Sequence, residues 1–144
     1  MLVAFYKSTR PGLAGLYNRL VRWWEHGKYS HCELIFSDGI SASSSYMDGG
    51  VRFEVIWFNP ERWDFIEVPD YLEQAARGWF TAHEGRSYDL LGNIHFLLGF
   101  IPDARDKWFC SEAVAEALGM VEAWRYGPNS LAATLINFNK EQKL

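Results

Sequence analysis

The dipeptide Asp38-Gly39 sits between two segments patterned as strands, residues 30–36 and 40–46. Asp-Gly adopts positive φ at little cost, so Ser37-Asp38-Gly39 predicts a tight antiparallel hairpin. Other strand signals surround it. Leu2 to Tyr6 reads as a short strand, and Val51, Phe53, Val55 and Trp57 alternate with Arg52, Glu54 and Ile56 after the Asp48-Gly49-Gly50 turn. Residues 63–68 follow an Asn59-Pro60 turn and complete an antiparallel set.

Helical spacing takes over elsewhere. Leu13, Leu16, Tyr17, Leu20, Val21 and Trp24 share one helical stripe after Pro11-Gly12, and Gly27 stops that helix. Pro69-Asp70 opens another, with Glu73 placed to complete a capping box and Tyr71, Leu72, Ala75, Ala76, Trp79 and Phe80 as its apolar face. Further helices are expected over 87–99, from Cys110 to Gly119 and over 129–136, with a frayed tail at 140–144. The chain of 144 residues holds no repeat or linker, so the expectation is one α+β domain spanning 1–144, an antiparallel sheet packed against helices.

Composition narrows the functions. A net charge of −4 without a basic block argues against nucleic acid as the main partner. The start lacks the pattern of a secretory signal, and the longest apolar stretch, 90–101, is too short to span a bilayer. The expected setting is therefore cytoplasmic, or a phage or secreted assembly reached by another route. Two cysteines do not make a disulfide framework. Cys32 reads as a small buried hydrophobe.

Cys110 reads differently. In Trp108-Phe109-Cys110-Ser111-Glu112-Ala113 two large apolar residues lead abruptly into alanine-rich helix. Unpaired N–H groups and the helix dipole at such a start stabilise a thiolate, and the same amides can hold an oxyanion. His31 opens the hairpin's first strand and is the expected base. Period-two alternation puts Glu33 on its face and Cys32 on the other. That alternation disfavours zinc held by His31, Cys32 and Cys110, and no metal or other cofactor is expected.

The order of Ser30-His31-Cys32-Glu33-Leu34, the Asp-Gly hairpin, Tyr88-Asp89 and Phe109-Cys110-Ser111-Glu112 resembles circularly permuted NlpC-type papain-like cysteine amidases. That family is related to the lecithin retinol acyltransferase group. The resemblance covers residues 29–131. It implies a permuted papain-like fold with Cys110 as nucleophile and His31 as general base. Gly85-Arg86-Ser87-Tyr88-Asp89 is similar to the family's Gly-x-x-Tyr-Asp segment beside the site, and Pro128-Asn129-Ser130-Leu131 to its Pro-x-x-Leu segment. Tyr88, Asp89, Trp108 and Ser111 are the expected substrate-binding residues. The family's polar third residue falls, counting through the hairpin, on Ser43, and Glu33 is the other candidate. Expected substrates are an amide in a peptide or peptidoglycan stem. Acyl transfer to lipid-like acceptors, or a non-catalytic role in an assembly such as a phage particle, are the competing expectations.

Overall fold

The computed structural model describes residues 1–45, 47–87 and 109–142. Five strands, β1 (Leu2–Tyr6), β2 (His31–Ile35), β3 (Ser41–Ser45), β4 (Gly50–Glu54) and β5 (Trp63–Glu67), form one sheet in the order β4-β3-β2-β1-β5. Every neighbouring pair is antiparallel. Four described α-helices accompany it: α1 (Gly12–Trp24), α2 (Glu73–His83), α3 (Cys110–Ala117) and α4 (Pro128–Glu141). The α+β class and the antiparallel sheet are thus as the sequence pattern predicts.

The hairpin forms where Asp-Gly requires it. Gly39 has φ +83, its N–H donates to the Phe36 carbonyl at 3.0 Å, and the Asp38 carboxylate accepts from the Ile40 N–H at 3.1 Å. Beyond the turn the two strands separate. Only Leu34↔Ala42 and Ile35↔Ser41 are paired, while β3 continues in register with β4 over five positions. The open end of this ladder is where α3 begins.

One sheet face carries the main core. Val3, Phe5, Cys32, Leu34 and Ala42 pack with Ala76 and Phe80 of α2, with Ala113 and Val114 of α3, and with Leu131 and Leu135 of α4. Fully burying residues such as Phe5, Phe80, Leu34 and Leu131 stabilises the fold by about 1.5–3 kcal/mol each. A smaller cluster of Ala4, Tyr6 and Trp63, joined by Ile35 and Phe58, lies on the opposite face.

Some expectations change. The second helix begins as a 3-10 turn at Asp70–Leu72, and Glu73 makes no capping box. Its carboxylate instead accepts from the Ser37 N–H and hydroxyl, tying α2 to the hairpin turn. Tyr71, expected on the apolar face, is exposed. The last helix starts with Pro128 at its first position, with Ser130 closing its N-terminus onto Gly127, and runs through Glu141, past the expected end at 136. The helix expected over 87–99 lies outside the described residues, apart from Ser87, which bridges Gly50.

Candidate active site

Phe109 is in extended conformation (φ −97, ψ 165) and the helix starts abruptly after it. No side chain caps this end, so the first-turn amides of α3 are not taken by a capping group. Cys110 sits there, 3% exposed, against the opened end of the β2–β3 ladder. Cys32, through its thiol and backbone N–H, and His31, through its ring, are the groups that act on its sulfur.

These contacts set the charge state. The thiol hydrogen bond from Cys32 is the largest influence on Cys110, and the charge and N–H of His31 act in the same direction. Together they overcome the burial that opposes ionisation and hold the Cys110 thiol well below its ordinary value. Burial pushes the Cys32 thiol the other way, reinforced by the neighbouring Cys110 charge, so Cys32 stays protonated as the donor. Burial also disfavours imidazolium at His31. The thiolate and Glu33 outweigh it and raise His31 from 6.5 to about 9. Both directions favour a thiolate–imidazolium pair over a neutral one.

Behind the imidazole stands a buried train of charge. His31 Nε2 donates to Glu33 Oε1 at 2.7 Å, which leaves Nδ1 for the sulfur. The Glu33 side chain is 1% exposed. Both of its oxygens accept from Arg52, at 2.7 Å each, a bidentate pair. Burial alone would raise the Glu33 carboxyl, but Arg52 first and His31 second hold it below 4.5. Arg52 in turn meets Asp48 at 3.0 Å and Glu54 at 3.1 Å.

Arg52 lies on β4 and Glu33 on β2, with β3 between them. The span is about 10 Å of sheet, two strand spacings. It is open because β3 reads Ser-Ala-Ser-Ser-Ser and presents only small side chains under the guanidinium. Those serines are satisfied locally. Ser41 donates to the Glu54 carbonyl at 2.8 Å and Ser43 to the Cys32 carbonyl at 2.7 Å.

Ser43 makes no hydrogen bond to the imidazole among the described residues. Its hydroxyl fastens β3 to the Cys32 backbone, and Glu33 is the side chain on the imidazole. Ser111, expected at the substrate, is fully buried with a hydroxyl that has no hydrogen-bond partner among the described residues. Tyr88, Asp89 and Trp108 lie outside the described residues. Arg52 and the thiol of Cys32 escaped the sequence reading. The signal for Arg52 was available, since an inward arginine across an all-small strand from a carboxylate is a pairing geometry. Among the described residues no group of three or more His, Cys, Asp or Glu is arranged to hold a metal.

A second polar clamp borders the site. Asn129, at the start of α4, accepts from the Tyr29 N–H at 2.8 Å and donates to both the Tyr29 carbonyl and the Glu25 carboxylate, at 2.8 and 2.6 Å. The Glu25 carboxyl is raised, mainly by burial and in part by the Cys110 charge. The C-terminal end of α1 is thus within electrostatic reach of Cys110.

No protein-family model, curated protein or solved structure matches this chain.

The role of Cys32 gives a direct expectation. Cys32→Ala removes the donor, and the pH midpoint of Cys110 alkylation should rise. Cys32→Ser keeps an O–H donor and should hold it nearer the wild-type value. Equal midpoints in wild type and both variants would show that Cys32 is only packing.

Proposed function

We propose that this chain is a cysteine hydrolase that cleaves an amide, in a peptide or peptidoglycan stem, on a permuted papain-like (NlpC-type) fold. The observation that carries the reading is the buried His31–Glu33–Arg52 chain of hydrogen bonds, with His31 acting on the Cys110 thiol at the start of α3. The chain order of a histidine strand followed by a cysteine helix, with the sheet packed on helices, supports the fold assignment.

The chemistry follows from that contact. The Cys110 thiolate attacks the carbonyl carbon, and the carbonyl π electrons move to oxygen, where the first-turn amides of α3 can donate to the oxyanion. As the C–N bond breaks, imidazolium His31 gives its proton to the departing amine, leaving a thioester on Cys110. Neutral His31 then takes a proton from water, the hydroxide attacks the thioester, and the thiolate departs with His31 again protonated. Glu33 keeps its charge throughout and orients the ring, as an acidic third member does in such triads.

The test is the pH dependence of Cys110 alkylation, with Cys110→Ala to subtract Cys32. Wild type should show a midpoint well below the free-thiol value of roughly 8.5, and His31→Ala should raise it. A free-thiol profile indifferent to His31 would leave a fold of this kind used only for binding. With an amide substrate, transfer to an added amine or alcohol in preference to water would instead mark an acyltransferase.

A further inference from the structure

Helix α1 is built inside out. Its buried side is small and polar: Gly15, whose Cβ position would meet the Arg10 carbonyl; Asn18, which accepts from the Arg10 N–H at 3.1 Å; and Arg22, which donates to the Lys7 and Ser8 carbonyls at 3.0 and 3.2 Å. At 100° per residue these three fall on one side of the helix, and Leu13, Leu16, Leu20, Trp23 and Trp24 fall on the other. That apolar stripe faces outward. Leu13 is 86% exposed and Trp23 72%, and the other three are also exposed.

Charge follows the same element. Residues 7–28 carry five cations, Lys7, Arg10, Arg19, Arg22 and Lys28, against one anion, Glu25, in a chain whose net charge is −4. Glu25 is turned inward onto Asn129. Lys7 and Lys28 serve Asp64, at 2.6 Å each, Arg22 is turned onto the Lys7 and Ser8 carbonyls and Arg10 lies over the Tyr6 ring, which leaves Arg19 as the basic border of the stripe. Arg19 is exposed on its flank. A leucine and tryptophan stripe bordered by arginine is the composition of helices that lie in the plane of a bilayer interface. No described helix is long and apolar enough to cross a membrane, so such a helix would lie on the surface.

We propose that α1 docks this protein on the surface of an anionic phospholipid bilayer, with Leu13, Leu16, Leu20, Trp23 and Trp24 in the acyl boundary and Arg19 among the headgroups. Two neighbouring observations fit. The C-cap of the helix, Glu25, accepts from Asn129, which also donates to the Tyr29 carbonyl two residues before His31, so docking would bring the His31 strand close to the bilayer surface. A cleft of about 490 Å³ opens at that same end, lined by Trp24, Glu25, Arg125, Asn129 and Ser130. The docking itself requires no catalysis.

The experiment is sedimentation of the full chain with vesicles of phosphatidylcholine alone or mixed with phosphatidylglycerol, at low and high salt. Expected is binding to the mixed vesicles that weakens with salt. Arg19→Glu should weaken it at least fivefold, the loss expected for one interfacial charge, and Leu13→Glu with Trp23→Glu should abolish it. Both leucine and tryptophan are exposed, so the fold should persist; unchanged Cys110 alkylation in the double variant checks this. Cys110→Ala should bind as wild type does, which separates docking from the proposed chemistry. No binding to either vesicle, binding insensitive to these substitutions, or a concentration-dependent dimer that the same substitutions dissolve would each overturn the proposal, the last by naming a second copy as occupant.

Discussion

Arg52→Met should lower the free energy of unfolding by about 3–5 kcal/mol, the loss expected when one partner of a buried ion pair is removed. The variant leaves Glu33 buried with the imidazole as its main partner, while the guanidinium contacts to Asp48 and Glu54 are lost as well. The sign with pH is fixed by the carboxyl. In the wild type it is held below 4.5, so its contribution is complete above that pH and falls away as pH drops through the lowered value. Urea unfolding at pH 7 measures the effect, and a loss under about 1 kcal/mol would mean the pair is not desolvated as described. Replacing both partners, Arg52→Met with Glu33→Leu, should recover much of the stability while destroying the site, since two apolar groups leave no orphaned charge.

The second large effect is on the alkaline limb of activity. Glu33→Gln retains a hydrogen-bond acceptor for Nε2 but removes the charge, one of the forces that raise His31 to about 9. His31 should then titrate closer to 6.5. Imidazolium is needed to protonate the leaving amine, so each unit of downward shift costs about tenfold in rate on the alkaline side. Wild-type activity should hold until pH nears 9, whereas the variant's should decline from a lower pH. The pH profile of kcat/KM separates this from simple misfolding, which would lower all pH values alike. An alkaline limb unmoved by the substitution would remove Glu33 from its positioning role.

The hairpin, the reading of Cys110 as a helix start and the histidine strand were legible because each rests on local physics: Asp-Gly turn chemistry, an abrupt alanine-rich run, period-two alternation. Counting through the turn places Ser43 across from Glu33, but it could not show that the Ser43 hydroxyl goes to the Cys32 carbonyl. Alternation put Glu33 beside His31 but could not show its burial, because the arginine that makes burial tolerable comes from another strand. Cys32 reads as packing because a free cysteine is most often a small buried hydrophobe. The open ladder end lets one helix terminus meet the strand's thiol, its backbone and its neighbour's ring together. The inverted polarity of α1 was invisible for a related reason. An apolar stripe at helical spacing looks the same whether it turns toward a core or away from one.

The reactive group is divided between the two ends of the sequence. His31, Cys32, Glu33 and Arg52 come from the first half, and the sulfur they act on arrives with α3 near the close. Contacts of that separation form late, after the loops between them have closed. Until then Cys110 is an ordinary thiol, mostly protonated at neutral pH. On the proposed function, a growing or partly folded chain therefore carries no activated nucleophile.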